Sequence, residues 1–348
     1  MTDININHIT LGISNGCNLK CKYCFCADFG PPIDGFTRFD ELLEFLKYLP
    51  LEDEVTLIFA GGEVTLFEDN IYLAYESISK FNRSLNNVFH YGIYTNGTNL
   101  KVLIDLIDER ILDPTRCAIS WDGLTGHNIR INSENTIWQL LEFGKTGYGK
   151  DVLVRTAINS ASVENLYESV KYLLSIGCTK WEYYFLIDDP IYRDIDFQNK
   201  FKEQLKLIIS EAKTNPDFNF YNLYNFKNTL NRDMSTKAIS CSTLGSTLSI
   251  DIDGIASPCG FCSSEYKCFP SKMFSADISN PLEFLKVYKD YINYYENTEF
   301  CNHKNCTNTQ CTECAFTIKF RDDKDPKTQQ CALRTIEFNT FKECIINV

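Results

Sequence analysis

No apolar run in the 348-residue chain approaches the roughly 20 residues that a membrane-spanning helix needs, so no spanning helix and no membrane partner are expected. The opening residues, MTDININHIT, lack the charged-then-apolar pattern of a signal peptide, and the expected compartment is the cytoplasm. Positive charge is also short. Lys and Arg number 34 against 46 Asp and Glu, a formal net charge of −12. Such a surface repels phosphate backbones, so a nucleic-acid partner is not expected. The sequence shows neither an internal repeat nor a low-complexity tract, which excludes a solenoid. With 44% hydrophobic residues the chain is long enough for one large domain and a smaller one.

What the chain has in excess is cysteine, 16 in all. Disulfides are rare in reducing compartments, so the number needs another reason. Scattered buried thiols account for Cys117, Cys178 and Cys344. They do not account for Cys17, Cys21, Cys24 and Cys26, or for the nine between Cys241 and Cys331. Clusters of this kind point to metal.

Strand and helix patterns alternate through the first two thirds. β-rich apolar runs occur at His8–Ser14, Glu54–Ala60, Asn87–Thr95, Arg116–Trp121, Asp151–Ile158 and Trp181–Leu186. Helical periodicity covers Phe39–Tyr48, Asn70–Phe81, Leu100–Glu109, Asn135–Gly144, Val163–Ser175 and Ile195–Lys213. Thr37 with Asp40 three residues on reads as a capping box with Asp in place of Glu. Six strand-then-helix repeats predict an α/β fold with a parallel sheet, a partial (β/α)6 TIM-like barrel. The expected domains are a barrel over 1–215, a bridging segment over 216–240 and a small cysteine-rich domain over 241–348. The composition of that last part cannot build a large apolar core, so metal is expected to hold it together.

After the first strand the chain reads Cys17-Asn-Leu-Lys-Cys21-Lys-Tyr-Cys24. A cubane cluster takes four thiolates, so three from one tight loop leave an iron open for another ligand. Three thiolates and a fourth ligand also suit zinc, which is the alternative at this point. The second strand ends in Gly61-Gly62-Glu63, and in a parallel α/β fold sites form at the carboxyl ends of strands. Thr95-Asn96-Gly97 ends the third strand, Ser120-Trp121-Asp122-Gly123 the fourth, with His127 and Arg130 following, and Asn159 the fifth.

The CxxxCxxC spacing with an aromatic before its last Cys resembles the signature of the radical S-adenosylmethionine (SAM) superfamily. That resemblance implies that Cys17, Cys21 and Cys24 hold a [4Fe-4S] cluster whose open iron chelates SAM. It places Tyr23, Gly61, Gly62, Glu63, Thr95, Asn96, Ser120, Arg130 and Asn159 around the cofactor, with Glu63 toward the methionine amino group. The Ser-x-Asp-Gly run and the His-Asn-x-x-Arg after it resemble peptide-modifying members, and put Ser120 and Arg130 near the SAM carboxylate or substrate. His127 is equally a residue that only packs, and Cys26 lies outside the signature as a bystander.

The C-terminal cysteines extend the resemblance. Leu248–Cys259 reads as a β-hairpin with Asp253-Gly254 at its turn. Cys241, Gly254 and Cys259, then Cys301, Cys306, Cys311 and Cys314, then a lone Cys331 resemble the SPASM type of auxiliary iron–sulfur domain. The gaps inside the run of four depart from that family's, although its overall span is kept. The resemblance implies one inner auxiliary cluster on Cys241, Cys259 and Cys314 and an outer one on Cys301, Cys306, Cys311 and Cys331. Cys262 is the expected fourth inner ligand; Cys268, or an iron left open to substrate, are the alternatives. A zinc ribbon using Cys311, Cys314 and His303 is the structural alternative.

What the family implies for function is reductive cleavage of SAM to a 5′-deoxyadenosyl radical that abstracts hydrogen from an unactivated carbon. It further implies a peptide or protein substrate, as in maturation of ribosomally made precursors by crosslink, thioether or epimerisation. An external electron donor of flavodoxin or ferredoxin type is expected. The first strand begins by His8, so substrate recognition is expected to use the barrel mouth, the C-terminal domain or a separate protein. The alternatives are a sulfatase maturase, a dehydrogenase of an aminosugar or small alcohol, and a non-enzymatic electron-transfer or metal-binding module. Gly260 stands where sulfatase maturases carry a catalytic Asp, which weighs against the first of these.

Overall fold

Apolar alternation in the first two thirds of the sequence becomes strands in the computed structural model, which describes residues 3–24, 35–82, 87–186, 189–230, 244–260, 274–297 and 329–346. In chain order the elements are β1 (Ile6–Ser14), β2 (Lys20–Cys21), α1 (Phe39–Lys47), β3 (Leu51–Gly61), α2 (Glu68–Asn82), β4 (Val88–Thr95), α3 (Leu100–Asp108), β5 (Ala118–Ser120), β6 (Arg130–Ile131), α4 (Thr136–Lys145), β7 (Leu153–Ile158), α5 (Leu166–Ser175), β8 (Lys180–Phe185), α6 (Ile195–Thr214), β9 (Asn219–Phe220), α7 (Tyr221–Leu230), β10 (Thr247–Ile250), β11 (Ile255–Ser257), β12 (Ala276–Asp277), α8 (Pro281–Asn297) and α9 (Gln329–Ile346). The fold is mixed α/β with mostly parallel strands, as the strand-then-helix alternation predicts.

The chain divides into two compact units, the first formed by Met1–Lys20, Cys24–Ala118 and Cys241–Glu299, the second by Cys21–Tyr23, Ile119–Ser240 and Phe300–Val348. In the first unit the strand order is β12-β11-β10-β1-β3-β4. Strand β1 pairs in parallel with both β3 and β10, and β3 pairs in parallel with β4. Parallel strands bury both faces, so they read as near-continuous apolar runs. Ile6, Ile9, Leu11 and Ile13 of β1 and Val55, Leu57, Ile58 and Phe59 of β3 are buried accordingly. Phe45 of α1 meets Phe284 of α8 edge-on at 5.2 Å, which seats that C-terminal helix on the same core.

The expected hairpin is present. Ser249 faces Ser257 and Ile250 faces Ala256 across antiparallel β10 and β11. Asp251 closes the turn, its Oδ1 accepting from the N–H groups of Asp253 at 3.0 Å and Ile255 at 2.8 Å. Gly254 takes φ +83° there, a conformation that costs other residues a Cβ clash. The capping box at Thr37 is not formed. Arg38 is the N-cap of α1, with no side-chain cap hydrogen bond, because its guanidinium has donors only and cannot accept from the first N–H groups of the helix. It donates to Asp277 at 2.6 and 2.8 Å and to the Asp253 carbonyl at 2.8 Å, and pairs with Glu41.

In the second unit the strands run β5-β7-β8-β9, with β7–β8 and β8–β9 parallel. Trp181 is the largest fully buried side chain here; its indole N–H donates to Thr156 Oγ1 at 2.9 Å, so its burial leaves no polar atom stranded. Helix α9 packs in this unit. Phe341 lies 5.0 Å from Phe226 and 5.9 Å from Phe220, ring to ring. Glu337, also on α9, accepts from the buried Tyr183 hydroxyl at 2.6 Å. Asn219–Phe220, in the stretch expected to bridge two domains, pair with β8, and Tyr221–Leu230 are helical.

Candidate active site

The cysteine loop leaves β1 at its carboxyl end, where the backbone is pinned against the end of β3. Gly62 N–H donates to the Ser14 carbonyl at 3.0 Å and Glu63 N–H to the Gly16 carbonyl at 2.8 Å. The two glycines are required for this contact. A Cβ on Gly61, which holds φ +149°, would lie 1.7 Å from the Ser14 carbonyl oxygen, and one on Gly62 would lie 2.2 Å from that of Gly16. The close approach they permit is thus to the chain's own backbone at Ser14 and Gly16, just before Cys17.

Glu63 is 0% exposed, and its carboxylate ties its own turn to the end of β4. Its Oε1 accepts from Thr65 N–H at 3.1 Å, Thr65 Oγ1 at 2.6 Å and Thr95 Oγ1 at 2.7 Å, and its Oε2 from Asn96 N–H. Three residues expected around the cofactor, Glu63, Thr95 and Asn96, are therefore in direct contact, and Cys17 joins them. The Asn96 amide donates to Cys17 Sγ at 3.6 Å, and the Leu19 N–H donates to the same sulfur at 3.4 Å. Although Cys17 is exposed, desolvation pushes its thiol up from the ordinary value, with the nearby charges of Glu63 and Cys24 acting the same way. The hydrogen bonds from Leu19 and Asn96 pull it back down.

In the second unit three expected residues, Tyr23, Arg130 and Asn159, converge on Asp122. Asp122 has a fully buried carboxylate. Tyr23 OH donates to its Oδ2 at 2.6 Å, Asn159 Nδ2 to Oδ2 at 3.2 Å and Ala157 N–H to Oδ1 at 3.1 Å. The Arg130 guanidinium is 3.8 Å from Oδ1. Burial pushes the Asp122 carboxyl up, while Arg130 and the three donors pull it back toward the charged form. Ser162 N–H and Ala161 N–H, each 2.9 Å from Asn159 Oδ1, fix which end of that amide faces Asp122. Ser120 ends β5 half-buried, and His127 is exposed. The signal that could have singled out Asp122 is its place just past the end of β5 and before the positive-φ Gly123, which is weak without the fold.

Cys17, Cys21 and Cys24 are thiols, not disulfides. Three cysteines on one short loop, one of them a sulfur already accepting two N–H groups, are the donor chemistry of an iron–sulfur site. By donor chemistry the residues present fit that group, while among the described residues no three His, Cys, Asp or Glu side chains are gathered to hold a metal ion. Of the C-terminal cysteines, Cys259 is described and half-buried just past β11, with Ser257 Oγ donating to its carbonyl at 2.9 Å. Cys241, Cys262, Cys268, Cys301, Cys306, Cys311 and Cys314, along with His303 and Cys26, lie outside the described residues, as does the side chain of Cys331. Cys117 and Cys178 are buried core thiols, each pushed up to about 12 by burial. Cys344 is half-buried on α9. No helix among the described residues is long and apolar enough to cross a membrane.

Comparison with known proteins agrees with this geometry. An uncharacterized protein of Methanocaldococcus jannaschii is 27% identical over 183 residues, 49% of this chain and 60% of that protein. A cysteine-type anaerobic sulfatase-maturating enzyme of Clostridium novyi is 34% identical over 94 residues, 25% of each chain. The chain thus spans less than two thirds of each of these relatives. Among solved structures, anSMEcpe with bound AdoMet has the same fold over 99% of this chain and 98% of its own, at TM-score 0.74 and 16% identity. SuiB of Streptococcus suis, solved bound to the precursor peptide SuiA, matches over 93% of this chain and 74% of its own, at TM-score 0.60 and 13% identity. The model of the Radical SAM superfamily matches residues 11–187, a stretch that begins in β1, takes in the cysteine loop and Glu63, and ends past β8. With just over half of its length so matched, the chain belongs to the radical SAM superfamily.

Proposed function

We propose that this protein is a radical SAM oxidoreductase that abstracts hydrogen from a peptide, in the manner of precursor-peptide maturation by crosslink, thioether or epimerisation. One observation carries the reading. Strand β10, which leads into the hairpin ending at Cys259, pairs directly with β1, which leads into Cys17. A second cysteine-bearing element is therefore built onto the same sheet as the signature loop, as an enzyme with an auxiliary centre requires. Peptide substrates come from the fold neighbours, one of which was solved with its precursor peptide.

Cys17, Cys21 and Cys24 would hold the SAM-binding [4Fe-4S] cluster. When bound, the cluster and SAM supply the 5′-deoxyadenosyl radical that abstracts hydrogen. The chain's own residues bind and orient. Arg130 offers a positive charge suited to a carboxylate, held in place by Asp122, and Asn159 and Tyr23 are fixed by that same carboxylate. Glu63, Thr95 and Asn96 form the matching acidic and polar cluster in the first unit, and Ser120 stands at a strand end. Cys241, Cys259, Cys262 and Cys314, with Cys301, Cys306, Cys311 and Cys331, would hold the auxiliary clusters. Electrons would come from a flavodoxin or ferredoxin.

Sulfatase maturation is the second reading, favoured by the Clostridium novyi relative. Against it, Gly260 takes the position of that family's catalytic Asp, although an added Cβ there would meet nothing nearer than 3.6 Å. The test is to supply a deuterated peptide encoded beside the gene, or a deuterated sulfatase peptide, to reduced enzyme and SAM. Deuterium in the released 5′-deoxyadenosine is expected from the first. Label from the sulfatase peptide alone, or from neither peptide, would overturn the proposal.

A further inference from the structure

The Asn96 side chain is 8% exposed, and its orientation is fixed by its neighbours. Thr98 N–H, which can only donate, lies 3.0 Å from Asn96 Oδ1, so that atom is the oxygen and the opposite one is the NH2 group. The same Oδ1 accepts from Thr98 Oγ1 at 2.7 Å. Asn18 Nδ2 donates to Thr98 Oγ1 at 2.9 Å, and Asn96 Nδ2 donates back to Asn18 Oδ1 at 2.9 Å. This closed ring uses one N–H of the amide. The other is aimed at Cys17 Sγ, 3.6 Å away, a normal reach for the large sulfur atom. The Leu19 N–H at 3.4 Å is a second donor to that sulfur, but it belongs to the backbone and any residue there would supply it. Asn96 is the one side chain among the described residues whose identity decides how many N–H groups face Cys17.

A thiolate ligand gains negative charge when its cluster is reduced. An N–H dipole fixed on that sulfur stabilises the reduced form and raises the reduction potential. Glu63 sits on the other side of Asn96, holding its backbone N–H, so the donor is preorganised instead of being drawn in at the moment of reduction. We infer that Asn96 is a positioning residue that sets the reduction potential of the N-terminal cluster through its hydrogen bond to Cys17. The inference rests on the reading of Cys17 as a cluster ligand, and its test separates the two.

The experiment is an EPR-monitored redox titration of the anaerobically reconstituted full-length protein, following the signal that disappears in the Cys17/Cys21/Cys24→Ala triple variant. Asn96→Ala is expected to shift that potential negative with iron content unchanged. Asn96→Asp keeps an acceptor for Thr98 but turns an oxygen toward the sulfur, so its shift is expected to be larger. Thr98→Val removes the ring's hydroxyl while leaving the Asn96 NH2, and its shift is expected to be smaller than that of Asn96→Ala. An unshifted Asn96→Ala, or a Thr98→Val shift as large, would overturn the inference. Loss of that cluster from Asn96→Ala alone would also overturn it, making Asn96 a residue the loop needs to fold. If wild-type protein shows no signal that depends on the three cysteines, the cluster reading itself fails.

Discussion

Replacing Glu63 by Gln tests whether this carboxylate anchors the site or only faces the cofactor. The side chain takes four donors, three on Oε1 and one on Oε2, and is 0% exposed. A glutamine amide has one acceptor oxygen and one NH2 group. With the oxygen toward Thr65 and Thr95, the NH2 points at the Asn96 N–H, donor against donor. The reverse rotamer sets it against the Thr65 N–H. Either way one buried backbone N–H loses its partner, at about 1–3 kcal/mol. The remaining bonds lose their charge assistance, which carries roughly half of their strength. The expected destabilisation is about 2–4 kcal/mol in protein free of SAM, read by denaturant unfolding under anaerobic conditions. At about 2 °C per kcal/mol for a chain of this size, the thermal midpoint should fall by roughly 4–8 °C. Lost packing between Gly62–Glu63 and Ser14–Gly16 should then weaken SAM binding as a consequence. Weakened SAM binding with stability inside about 0.5 kcal/mol of wild type, the ordinary spread of a neutral surface change, would refute the anchoring role.

Arg38 holds the Asp277 carboxyl well below the usual carboxylate range, through direct hydrogen bonds. A depressed folded value means that the stabilisation is fully present above the unfolded value of about 3.9 and is lost as pH falls through the folded one. Asp277 is 40% exposed, so screening limits the effect to about 1 kcal/mol or less. Asp277→Asn should cost that much near neutral pH and progressively less toward strong acid; a pH-independent difference would contradict the pairing. Among the auxiliary cysteines, Cys262→Ala is expected to lower iron content and alter the auxiliary cluster's spectrum, while Cys268→Ala leaves both unchanged. Loss with Cys268→Ala alone would reverse that ligand choice, and no loss with either would leave an iron open to substrate.

The strands were legible where burial on both faces writes itself as an apolar run. The sequence placed β3 at Glu54–Ala60 and β7 at Asp151–Ile158, and the structure extends the first to Leu51–Gly61 and trims the second to Leu153–Ile158. Helix α1 was legible from Leu42, Phe45 and Leu46, but its cap was not: the N-cap falls on Arg38, which can only donate and pairs with Asp277, 239 residues on. Helix α8 buries Phe284, Tyr288, Tyr291, Ile292 and Tyr295. That stripe has the spacing of a helix, but tyrosines and neighbouring lysines make it read as polar. Helix α9 carries no apolar stripe to read, since its buried face of Leu333, Glu337, Thr340 and Phe341 mixes apolar with polar residues. At the site, the cysteine spacing and Gly-Gly-Glu were visible as residue types. The contacts that give them meaning were not. Asn96 reaches Cys17 across 79 positions, and Asp122 reaches Tyr23 across 99. Such contacts follow from which strand ends become neighbours, and local periodicity carries no record of that.

The most direct test of membership turned into chemistry is SAM cleavage by the reduced, anaerobically reconstituted protein, compared with the Cys17/Cys21/Cys24→Ala triple variant. Wild type should carry about 12 irons per chain if three cubane clusters assemble and should release 5′-deoxyadenosine slowly even without substrate. The triple variant should release none while keeping its auxiliary iron. Continued cleavage by the triple variant, or a wild-type protein holding zinc and no iron, would contradict the assignment.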